Sequence, residues 1–123
     1  MKKLLVFAAV SEGSLGLILL VYPPVVVRLL FGAEIAGPSV WISRFAGIAV
    51  IGLVVACWPD GNPVRAFFGM STYSTLAMLY LAYVGVNGGM GILLWPAVAV
   101  HAGLSVLLIR AWWNERRILA RGR

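Results

Sequence analysis

Residues Phe7–Leu20 read FAAVSEGSLGLILL. One carboxylate, Glu12, stands in the middle of a run that is otherwise apolar or small. The run extends over residues 4–22, close to the length of about 20 residues that crosses a bilayer as a helix. A glutamate at the centre of such a span must face the interior of a bundle, because lipid does not accept its charge.

The whole chain supports a membrane setting. Its 123 residues are 62% hydrophobic and 11% charged, with a mean hydropathy of +0.97. Soluble domains are about half apolar and about a quarter charged, and a domain this small leaves much of its surface exposed. The formal charge is +6, but its distribution argues against nucleic acid. Arg110, Arg116, Arg117, Arg121 and Arg123 crowd one end and Lys2 and Lys3 open the other. Basic clusters flanking apolar spans set topology and touch anionic headgroups, and no aromatic residues interleave with them to stack bases. Cys57 is the only cysteine, which excludes an intramolecular disulfide and a multi-cysteine metal site. MKKLLVFAAV has the start of a signal peptide, yet no small-x-small site follows and Glu12 interrupts the apolar run, so it is read as a retained span.

Four apolar stretches, at about 4–22, 40–58, 64–84 and 92–113, predict four transmembrane helices in a single integral membrane domain over 1–123, with a basic cytoplasmic tail at 114–123. The fold class expected is all-α: a polytopic membrane protein built as an antiparallel four-transmembrane-helix bundle. Pro23-Pro24 and Gly32 frame VVVRLLF as a short interfacial helix in the first outer loop, either a plain connector or a lid. With the N-terminus inside, the cytoplasmic face collects Lys2, Lys3, Arg65 and the five C-terminal arginines, and the outer loops hold Arg28. That asymmetry places both termini in the cytoplasm. Tyr22, Trp41, Tyr83 and Trp95 fall at the outer ends, and Trp58, Trp112 and Trp113 at the inner ends, as interfacial aromatics do. Alanine-rich composition with arginine favoured over lysine points to a GC-rich bacterium, hence the bacterial inner (plasma) membrane.

Polar residues recur near the midplane. Glu12 is central in the first span, MSTYST (Met70–Thr75) in the third and His101 in the fourth. Arg44 lies about four residues outward from the middle of the second, roughly 6 Å higher. Glu12 is expected to face Arg44 or nearby hydroxyls, because a lipid-facing charge costs at least about 2.5–3.5 kcal/mol. Tyr73, Ala77, Tyr80 and Val84 follow a helical period and share one face. The candidate binding site or buried polar network is therefore Glu12, Arg44, Tyr73, Tyr80 and His101. Each has a plainer account beside it: a register-fixing ion pair for Glu12 and Arg44, a satisfied histidine, packing tyrosines. Ser71, Thr72, Ser74 and Thr75 are expected to bond back to carbonyls one turn earlier.

No phosphate-cradling loop, HExxH motif or Cys/His metal cluster is present, and no serine sits in a nucleophile elbow. The remaining groups suit binding or moving protons better than breaking bonds, so no enzyme and no catalytic or metal-ligating residue is expected. Small multidrug-resistance exporters also carry a glutamate in the first of four helices, but their aromatic pattern in the later helices is absent here. SEGSLGLILLVYP, SRFAGIAVIGLVVACWP and LLWPAVAVHAGLSVLLI together resemble small bacterial four-helix membrane proteins of the broad DoxX-like neighbourhood. That resemblance implies an accessory membrane subunit associated with oxidoreductase systems and carries over no site residues. The function expected is a non-catalytic accessory or small-lipophile-binding subunit. The alternatives are a proton-linked small-molecule transporter using Glu12 and a quinone- or lipid-binding component of an oxidoreductase system. No cofactor is predicted beyond a lipid or quinone, and the partners expected are membrane lipids and a larger membrane complex or homo-oligomer.

Overall fold

The computed structural model describes residues 1–122 as five helices: α1 (Lys2–Val21), α2 (Pro23–Phe31), α3 (Pro38–Ala56), α4 (Pro63–Val86) and α5 (Leu94–Arg121). Proline opens α2, α3 and α4, where its missing N–H is not needed. Asn62 caps α4, its Oδ1 accepting from the N–H groups of Val64 (3.0 Å) and Arg65 (3.2 Å). Gly32 stops α2 in the left-handed conformation at φ 69°. PPVVVRLLF is thus a helix. α5 runs unbroken to Arg121 through most of the stretch expected as a tail, and Arg123 lies outside the described residues.

α1, α3 and α5 are long and apolar enough to cross a membrane. α4 has the length, at 24 residues, but the hydroxyls of Ser71, Thr72, Ser74 and Thr75 and its tyrosines dilute its apolar character.

The bundle is built from two close antiparallel pairs. In the first, α1 meets α3 with backbones nearly touching: a Cβ on Gly47 would lie 2.7 Å from the Gly16 carbonyl oxygen and 2.8 Å from the Leu20 nitrogen. In the second, Phe67 stacks on Trp112 (centroids 4.8 Å, 7°), Thr75 Oγ1–H donates to Ser105 Oγ (3.4 Å), and Trp95 lies over Gly85. α3 and α4, although consecutive, make almost no contact along their length.

The pairs join in the half of the bundle that carries the termini. Leu5, Ala8 and Ala9 of α1 pack there against Ala66, Phe67 and Met70 of α4, Leu104 and Leu108 of α5, and Cys57. Lipid tails are as apolar as leucine, so dispersion packing rather than water exclusion holds this core. At its end the Met1 amino group sits 3.6 Å from Glu115, Lys2 Nζ 3.2 Å from Asp60, and Trp58 Nε1–H donates to Asp60 (2.8 Å). At the opposite end Leu93 N–H donates to the Leu29 carbonyl (2.8 Å), which ties α2 to the α4–α5 loop. Arg28 Nε–H donates to Glu34 there (2.9 Å).

Gly47→Ala pushes backbone against backbone and is expected to destabilise by about 1–3 kcal/mol, read as a lower melting temperature in detergent. Gly52→Ala, with nothing within 4 Å of its new methyl, leaves melting unchanged or raised. The Trp58 N–H, then Lys2, hold the Asp60 carboxyl below its usual value. A depressed carboxyl contributes stability above its unfolded pKa and loses it as pH falls through the folded one. Between about pH 5 and about pH 2 the wild type should therefore lose more stability than Asp60→Asn.

Candidate functional site

The half of the bundle away from the termini is hollow. A cavity of about 510 Å³ is lined by residues from all five helices, among them Leu15 and Leu19 of α1, Val26 and Phe31 of α2, and Val50 of α3. α4 contributes Tyr73, Leu76, Ala77, Tyr80 and Leu81, and α5 contributes Ala97 and His101. The volume falls in the range of small-molecule sites, and an apolar wall with a few convergent polar groups is their usual composition.

The polar groups gather where the hollow half meets the packed half. Glu12 and His101 are buried, at 5% and 7% exposed. Glu12 Oε1 lies 3.7 Å from His101 Nδ1, just beyond hydrogen-bond length. Tyr73 joins them through its ring, which meets that of His101 edge to face with centroids 6.0 Å apart. Glu12 Oε2 and His101 Nδ1 have no hydrogen-bond partner. His101 also lines the cavity, with Nδ1 on the side of Glu12.

Three of the five expected residues, Glu12, Tyr73 and His101, come together. Tyr80 stands at the rim, lining the cavity while 62% exposed. Ala77 shares that face as its helical period required, whereas Val84 is not among the lining residues. Arg44 corrects the expectation. It is exposed, is not among the lining residues and forms no ion pair with Glu12. The cause is register: Gly47 packs on Gly16 and Leu20, and Gly13 faces Val54. Arg44 is therefore level with the last residues of α1, about ten residues and roughly 15 Å from Glu12 along the axis. His101 and Tyr73 take the place given to it. Among the hydroxyls, Thr75 bonds across to Ser105 rather than back along α4, while Ser71 Oγ is buried without a partner. Back-bonding occurs instead in α1, from Ser11 to the Phe7 carbonyl (2.9 Å) and from Ser14 to that of Val10 (2.8 Å).

The apolar wall carries no sequence signal, since Leu19, Val26 or Ala46 look like any lipid-facing residue. Only the proline- and glycine-bounded α2 signalled a cover. Among the described residues no group of three metal-ligating side chains converges.

A double-mutant cycle on Glu12→Gln and His101→Gln should show a coupling of about 0.5–3 kcal/mol in detergent unfolding. The same cycle with Arg44→Gln should be additive within about 0.5 kcal/mol, as for distant sites. Comparison with protein-family models, curated proteins and solved structures finds no match to this chain.

Proposed function

We propose that this chain is a small integral membrane protein that binds a lipophilic molecule bearing one polar group, without catalysis of its own. The observation that carries this reading is the cavity itself: apolar walls from five helices that meet the half-buried Tyr73 and the buried His101, with Glu12 behind the histidine. Hydrocarbon fits the walls. His101 and Tyr73, polar side chains in the lining, suit one hydroxyl or carbonyl, because a buried polar group left unmatched costs about 1–3 kcal/mol.

The proposed topology has four spans. α4 pairs with α5 from Phe67 against Trp112 to Gly85 against Trp95, so α4 crosses wherever α5 does. Lys2, Lys3, Arg65, Arg116, Arg117 and Arg121 gather at the end of the termini, against Arg28 and Arg44 at the other. The positive-inside rule then puts both termini in the cytoplasm, makes α2 an outer interfacial helix, and suits a bacterial inner membrane. An accessory role in a membrane oxidoreductase system, as the DoxX-like resemblance implies, accommodates a quinone or lipid in the same cavity.

Proton-linked transport is a second reading, favoured by the pairing of two titratable groups, Glu12 and His101, at midplane depth. It requires the packed core around Met70 and Leu108 to open, since that core closes the cytoplasmic half.

Native mass spectrometry of protein purified in mild detergent tests the leading reading. A lipophile is expected to co-purify, and added 1-hexadecanol to bind. His101→Phe, which keeps the volume but removes the polar partner, should weaken hexadecanol binding about tenfold or more. A wild type that retains nothing and binds no hexadecanol would remove the proposal.

A further inference from the structure

We infer that the cavity is entered sideways, from the hydrocarbon of the leaflet on the α2 side, through a cleft between α3 and α4, and that its occupant is an uncharged, single-chain lipophile with a hydroxyl or carbonyl head. The inference rests on the lipophile-binding reading and adds to it the route and the ligand class.

Three directions out of the cavity can be compared. Toward the termini the way is filled by the core of Leu5, Met70, Leu104 and Leu108, with Phe67 stacked on Trp112 beneath it. Along the axis on the other side α2 lies across the cavity, with Val26, Val27, Leu30 and Phe31 forming its roof. That roof is fastened. The Leu29 carbonyl accepts from Leu93 N–H, and Gly91 sits so closely on Leu30 that any side chain there would strike its backbone.

The third direction is open. Every lining residue from α1, α2 and α5 is buried or half-buried. The exposed ones are Ala46 on α3 and Leu76 and Tyr80 on α4. These two helices approach each other where Cys57 meets Gly69. Beyond that point α3 leans on α1 and α4 leans on α5, and a wedge separates them. Both edges of the wedge face lipid if the helices span, so acyl chains reach the mouth without crossing water.

Ligand chemistry follows from the lining. It contains no Lys, Arg, Asp or Glu side chain, so an ionic headgroup would meet no counter-charge, at a cost of several kcal/mol per ion. A volume of about 510 Å³ suits one chain better than two. The groups offered to the occupant are His101, Tyr73, Ser43 and, at the rim, Tyr80, each able to accept from or donate to a hydroxyl or donate to a carbonyl. A second copy inserting a helix into the wedge would cover the apolar edges, but it would leave the polar end unmatched.

The test uses the full-length protein in phosphatidylcholine nanodiscs containing 1-hexadecanol with a diazirine on its chain. Photoadducts are mapped by mass spectrometry in wild type, Ala46→Trp and Leu76→Trp, two substitutions that narrow the mouth from opposite walls. Adducts are expected on Tyr73 and Ala77 inside and on Tyr80 at the rim. Each tryptophan variant should lose the interior adducts, while adducts on Ile48 and Val55, exposed on another face of α3, persist. Interior adducts that survive in both variants would overturn sideways entry and leave lipophile binding standing. Absence of interior adducts in the wild type would overturn both. Cross-links between two copies at Tyr80, in place of lipophile adducts, would assign the wedge to a second copy and overturn the proposal. Retained melting transitions in both variants keep loss of labelling separate from loss of fold.

Discussion

The contact of Gly47 with Gly16 and Leu20 governs much of the rest. Two helices lacking side chains at their crossing come within backbone distance, and in a membrane such close approach is a principal source of association. This contact binds α3 to α1 rather than to its sequence neighbour α4. It also sets the antiparallel register, and the register decides electrostatics. Arg44 is carried toward the end of the bundle away from the termini, where a long side chain can reach past the apolar surface to polar surroundings. Glu12 is left at the depth of His101 and Tyr73.

The same pairing explains why the molecule is solid at one end and hollow at the other. Where the termini lie, α1 inserts small residues, Ala8 and Ala9, between Met70 of α4 and Leu104 and Leu108 of α5, and no room remains. Farther along, α3 stays with α1 and α4 stays with α5, so the pairs diverge and α2 spans the gap. A void in a packed protein forfeits dispersion contacts on every wall. A cavity kept beside two buried ionisable side chains is thus a feature with a cost. Glu12 marks the interior of the bundle and lies behind His101, which lines that cavity.

Much of this was legible from residue types. Proline and glycine punctuation outlined five helices, including α2. Apolar runs identified the membrane as solvent, and the expense of a lipid-facing carboxylate turned Glu12 inward. The period of Tyr73, Ala77 and Tyr80 gave one face of α4 correctly, because helical phase is a local property. His101 was recognisable as polar at midplane depth, but not as the partner of Glu12.

What the sequence by itself determined is the set of properties summed along the chain: helical content, hydropathy, the depth of polar groups within each helix, and the bias of charge toward one end. Tertiary structure alone decided which helix lies against which, and in what register. Gly16 and Gly47 are identical in sequence to Gly52 and Gly103, which face open space, and nothing local distinguishes a glycine that joins two helices from one that does not. Depth estimated within one helix also says nothing of offset between helices. That offset, of roughly ten residues at about 1.5 Å each, separated Arg44 from Glu12, joined Glu12 to His101 and opened the wedge between α3 and α4.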